Sequence, residues 1–131
     1  MRVKTSLLAL KREHGQDLIE LALVLPLLLV ILMSVLDLGR AFNTYMVLTN
    51  AAREGARLAA RDPYDITAIT EVALNETRSA GLPDDEVTVS VIPAPSGSPV
   101  QVTVAYDFPL LSGLLPFTEI PMSVSVEMVV F

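Results

Sequence analysis

From Leu21 to Leu36 the chain is apolar but for Pro26 and Ser34, and Glu20 stands at the mouth of that run. As a helix rising 1.5 Å per residue, Leu18 to Leu38 measures about 30 Å, the thickness of a bilayer's hydrocarbon core. Basic residues before an apolar core are also the layout of a secretory signal. Three features favour a retained helix instead. The core exceeds the usual signal length, and Glu20 interrupts its entrance. No small-x-small cleavage site follows, since Val35-Leu36-Asp37-Leu38 is bulky and acidic. The helical pattern also continues past the membrane edge. An ionised carboxylate costs about 2.5–3.5 kcal/mol at the centre of a membrane helix on insertion scales, less toward the interface. Glu20 therefore calls for a partner.

Charge gives the span a direction. Residues 1–15 carry Arg2, Lys4, Lys11 and Arg12 against Glu13, while residues 41–131 carry four arginines against eleven acids. By the positive-inside rule the basic end is cytoplasmic and the acidic remainder extracytoplasmic. An acidic outer domain argues against nucleic acid as a partner, because phosphate binding relies on basic groups. Cysteine is absent and His14 is the single histidine, so disulfides and thiolate metal sites are excluded and no metal or cofactor is expected. No nucleophile stands beside a base, so no catalytic residue, no enzyme activity and no small-molecule substrate are expected.

The spacing predicts a stem that continues beyond the membrane. From Ala41 to Arg61 no proline occurs, and Phe42, Tyr45, Thr49, Ala52, Ala56 and Ala59 recur at steps of three and four. Small residues (Ala51, Ala52, Gly55, Ala56, Ala59 and Ala60) crowd the second half, which allows another backbone close approach. That stripe packs either on the chain's own sheet or on a neighbouring subunit, or serves both. Arg53, Arg57 and Arg61 form one i,i+4 row with Glu54 beside it. A continuous helix over 16–61 would extend about 70 Å. Pro26 removes one backbone bond, to the carbonyl of Ala22, and marks either a plain kink or a point where the helix loosens.

The fold class expected is α+β. A long transmembrane helix continues into a small outer domain with one further helix and a three-stranded antiparallel sheet. The divisions are a basic leader (1–15), a membrane helix (16–40), its outer continuation (41–61) and an extracytoplasmic domain (62–131). Asp62-Pro63 predicts a helix over 64–80, ended by Gly81-Leu82-Pro83. Period-2 patterning then marks Val87, Val89 and Val91, next Val100, Val102, Val104 and Tyr106, and finally Met122, Val124, Val126, Met128 and Val130. Between the last two strands, residues 108–117 are unusually apolar for a loop. They either tuck beneath the sheet or offer a patch to a partner or the bilayer. Asp84-Asp85-Glu86 lacks calcium-loop spacing and reads as a solvated turn.

Gly15-Gln16-x-x-x-Glu20 before the apolar run resembles a class III prepilin signal. With Pro26, Asp37-x-Gly39-Arg40 and Asn50-Ala-Ala-Arg-Glu-Gly-Ala-Arg57, residues 14–61 resemble the TadE-like family, pilin-like proteins of Tad/Flp pilus systems. The resemblance implies cleavage by a prepilin peptidase between Gly15 and Gln16, after which Glu20 is the fifth residue of the mature chain. It further implies that Glu20 pairs with the new terminal amine, of its own or a neighbouring subunit. Leu21 stands where Flp major pilins have Tyr, which favours a minor pseudopilin over a bulk fibre subunit. Ala52, Gly55, Ala56 and Ala59 are the expected helix-packing residues. Expected partners are the peptidase, other pilins or pseudopilins, Tad membrane assembly proteins and membrane lipid. The location implied is the cytoplasmic membrane, single-pass, with incorporation in a pilus left open. The competing function is a membrane-tethered extracytoplasmic binding or scaffolding module with an uncleaved signal anchor.

Overall fold

The computed structural model describes the backbone of residues 4–111 and 118–131, and side chains from residue 15 onward within those limits. Expectations for the basic leader's side chains and for residues 112–117 lie outside the described residues.

One helix, α1 (Lys4–Ala59), runs without a break through Pro26 and out into the globular part. It ends two residues short of the expected Arg61. Its apolar window is not buried anywhere in the molecule, so length, composition and exposure all suit a bilayer-crossing segment.

The second helix, α2 (Ile66–Ser79), starts two residues later than the Pro63 signal suggested. Asp65 is its N-cap: the carboxylate accepts from the Ala68 N–H at 3.1 Å, satisfying one of the free donors of the first turn. Pro63 lies in the preceding turn instead, where Asp62 accepts from the Tyr64 N–H at 3.4 Å. The end is as expected. Gly81 adopts φ +83°, the Leu82 N–H donates to the Thr77 carbonyl and the Gly81 N–H to that of Arg78, a Schellman closure that only glycine enters without strain.

Three strands follow, β1 (Val87–Ile92), β2 (Pro99–Pro109) and β3 (Glu119–Val129), paired antiparallel in the order β1-β2-β3. The alternation read from the sequence sets the register, with Val102 opposite both Val91 and Val126 and Val104 opposite both Val89 and Val124. Val100, Val102, Val104, Tyr106 and Phe108 are buried on one face. The other face is polar, with Thr103 and Ser125 hydroxyls 2.8 Å apart and Gln101 donating to Glu127 at 3.0 Å. α2 and the outer part of α1 cover the apolar face, the two-layer solution open to a one-faced sheet.

The strands lie along the stem, and this sets the position of everything else. Val100 and Val102 pack with Ala56 and Ala59 near the top of α1. Val104, Tyr106 and Phe108 pack with Leu48, Ala51 and Ala52, one to three helical turns lower. β2 therefore descends toward the membrane segment and β3 returns, and the Phe131 N–H closes the circuit by donating to the Ala60 carbonyl at 3.2 Å. Burial raises the Tyr106 phenol above its usual range, and the nearby Glu86 carboxylate pushes it the same way.

The buried stripe of the stem differs from the expected one. Ala52, Ala56 and Ala59 are buried as read, but Phe42 and Tyr45 are exposed and Thr49 is only half-buried. The face that enters the core passes through Asp37, Thr44, Leu48, Ala51, Ala52, Gly55, Ala56 and Ala59. A line through Phe42, Tyr45 and Thr49 follows helical spacing too, but on a neighbouring face about 100° away at 3.6 residues per turn.

Candidate functional site

Three places on the stem carry the residues singled out by sequence, and the fold keeps them apart. At the start of the apolar run, Gly15, Gln16 and Glu20 lie on continuous, exposed helix. Nothing lies within 4 Å of where a Gly15 side chain would begin, so only the helix itself surrounds that position. Glu20 is exposed beside Leu18, Ile19 and Leu21, and among the described residues no hydrogen bond or ion pair reaches it.

At the upper stem, Ala52, Gly55, Ala56 and Ala59 are all buried within the chain. Gly55 allows the closest approach: a Cβ there would sit 3.1 Å from Val102 Cγ1, 3.6 Å from Ala73 Cβ and 3.7 Å from Ile69 Cγ2. The stripe is thus occupied by α2 and β2 of the same molecule. Arg53, Arg57 and Arg61 line the solvent side, with Arg57 bonded to Glu54 at 3.3 Å.

Between these lies a third cluster, at the end of the apolar run. Asp37 is 5% exposed although Leu36 and Leu38 beside it are open. Its Oδ1 accepts from Arg40 Nη1 at 3.1 Å and from the Leu111 backbone N–H at 3.1 Å. Arg40 in turn stacks over the Phe108 ring, 5.0 Å from its centroid, and reaches the Pro109 carbonyl at 3.5 Å. A cation over an aromatic face and a charge-assisted bond to a backbone donor act together here. The lower end of the sheet is latched to the stem. Sequence reading placed Asp37 and Arg40 in a motif but gave them no task; the signal was an acid at the outer edge of an apolar span, where burial against protein is the alternative to water.

The apolar stretch at 108–117 resolves in part. Phe108 continues the buried stripe of β2 at 2% exposure, Leu110 packs against the core and Leu111 points outward. The acidic turn is anchored on one side, since the Arg78 guanidinium binds Asp84 and also meets Asn75 and Glu71.

These features define a class: an apolar, bilayer-length stem carrying a small α+β head latched to it at the end of the apolar run. Residues 15–57 match the family model described as TadE-like protein, the family that the sequence resembles. The match takes in all three stem clusters except Ala59, Arg61 and the strand side of the latch. That family suggests a Tad pilus-associated component of structural character, and α1 suits a membrane-associated one. No curated protein and no solved structure matches the chain.

Proposed function

We propose that the protein is a pseudopilin of a Tad/Flp-type pilus assembly system, acting by helix packing and subunit assembly and not by catalysis. Its basic leader faces the cytoplasm, α1 crosses the inner membrane once and the α+β head stands outside. A prepilin peptidase cuts between Gly15 and Gln16, and other pilins, pseudopilins and Tad membrane proteins are its partners. The observation that carries this reading is the TadE-like match, whose first residue is Gly15 itself. Physics supports the role of Glu20. Cleavage creates an amine one helical turn from a carboxylate that is exposed on an apolar helix, and the two charges are then neutralised together in a low-dielectric setting.

Processing is the direct test. In cells with a prepilin peptidase, the mass of the membrane-extracted chain is expected to start at Gln16, and Gly15→Ala to leave it full length. A wild-type chain that keeps residue 1 in such cells overturns the reading. A companion substitution, Glu20→Ala, is expected to leave membrane insertion intact, since it removes a charge from an apolar span. It should lower recovery of the protein with the pilus assembly complex. Equal recovery of both chains would refute the pairing.

A further inference from the structure

We propose that the lower end of the sheet is a second membrane contact, seated through Leu111 in the outer headgroup layer of a lipid bilayer. The inference rests on α1 spanning that bilayer and is independent of the pilus role. Height comes first. The Leu111 N–H bonds Asp37, and Asp37 closes the run of exposed apolar side chains from Leu18 to Leu38. With that run filling about 30 Å of hydrocarbon, Leu111 is held at the hydrocarbon–headgroup boundary and not above it.

Exposure and continuity come next. Leu111 is 59% exposed, whereas Phe108 is buried and Leu110 half-buried. Around the stem at the same level and just above it, Leu38, Phe42, Tyr45 and Met46 are exposed as well. Aromatic and aliphatic groups in the first turns past a span are the usual composition of the interfacial belt. The exposed apolar side chains of the span and Leu111 thus reach the same level of the stem, and the bilayer that covers the one covers the other.

Charge sets the depth. Asp37 enters this zone buried and bonded to Arg40, whose guanidinium rests on Phe108. Glu119 is paired with Pro109, the last residue of β2 and two before Leu111, and Asp107 lies two residues further up the strand. Both are exposed, so the end of the sheet inserts to the headgroups and stops there.

The absence of cysteine makes the test direct. Full-length Leu111→Cys, Thr118→Cys, Leu28→Cys and Phe131→Cys chains, each carrying an environment-sensitive fluorophore, are placed in phosphatidylcholine–phosphatidylglycerol vesicles. Thr118 lies across the same end of the sheet, its carbonyl accepting from Leu110 at 2.9 Å, and serves as the second probe should Leu111→Cys not fold. Labels at 111 and 118 are expected to lose quenching by aqueous iodide and to be quenched most by a headgroup spin label. The label at 131 should stay open to iodide, and the one at 28 should respond to a spin label deep in the acyl chains. Iodide access at 111 and 118 equal to that at 131, with 28 still deep, overturns the contact while the span stands. A label at 28 that ignores the deep quencher overturns the span and the contact with it. Protection that disappears as protein is diluted in lipid assigns the surface to a second copy and overturns the lipid contact.

Discussion

Gly55→Val is expected to loosen the head from its stem, lowering the midpoint of chemical unfolding of the full chain in micelles by the equivalent of about 3 kcal/mol, the upper end of the usual overpacking cost. The reason is the crossing itself. A single added carbon would already stand 3.1 Å from Val102 Cγ1, closer than a comfortable contact, and the neighbours Ala73 and Ile69 leave no side to lean toward. Val102 is fixed in the central strand between Val91 and Val126 and cannot retreat without moving the sheet. Alanine at the same position is the calibrating variant. It gains about 1 kcal/mol of helix propensity over glycine and loses a similar amount to the tight contact, so a small net change of either sign is expected. Near-ultraviolet circular dichroism of the buried tyrosine and hydrogen exchange of β2 amides would both report the change. A Gly55→Val chain with an unaltered midpoint would mean that the stem does not meet Val102 at that distance.

The same crossing shows what sequence patterns convey and where they stop. Period-2 alternation located each strand because every second valine faces one core, and a slip of one residue would have exposed all of them. Small residues at Ala52, Gly55, Ala56 and Ala59 announced a close approach, but close approach to what was not legible: α2, β2 or another subunit would all select the same residues. Helical spacing on the stem admitted two neighbouring stripes, and the larger side chains of Phe42 and Tyr45 drew attention to the one left exposed. The tight crossing at Gly55 is what chose between them, and it depends on the sheet's position, which no local pattern encodes. At the start of α2, Asp62-Pro63 was the cap expected, and the bond from the Ala68 N–H shows that Asp65, three residues on, takes that place. The latch was hardest to read, because Asp37 and Leu111 are far apart in sequence and the partner atom is a backbone N–H that any residue could supply.

Asp37→Ala is expected to open the lower end of the sheet while the upper core holds. The substitution removes the acceptor of the Leu111 N–H and the counter-charge of Arg40 at once. The bond is part-buried and its acceptor is a carboxylate, so its loss costs about 1.5–3 kcal/mol, as for a hydrogen bond to a charged group. Arg40 adds little to that, since its side chain is 42% exposed and water takes over much of its solvation. The cost is local, because Leu48, Ala51 and Ala52 still pack Val104 and Tyr106 above the latch. Amide exchange at Leu110 and Leu111 should therefore quicken by roughly ten- to a hundred-fold, about 1.4 kcal/mol for each factor of ten, with amides of Val102 and Val104 unchanged. Asp37→Asn retains an oxygen for Leu111 but loses the charge that holds Arg40, and its effect should fall between wild type and alanine. Arg40→Ala, which keeps the Leu111 bond but loses both the ion pair to Asp37 and the stacking on Phe108, should weaken the end by about 1 kcal/mol, since the guanidinium is partly exposed. The ordering Asp37→Ala, then Asp37→Asn, then Arg40→Ala distinguishes a latch made by the backbone bond from one made by the ion pair. If Arg40→Ala opened the sheet as far as Asp37→Ala, the ion pair would be the fastening. The bond to Leu111 would then be its consequence.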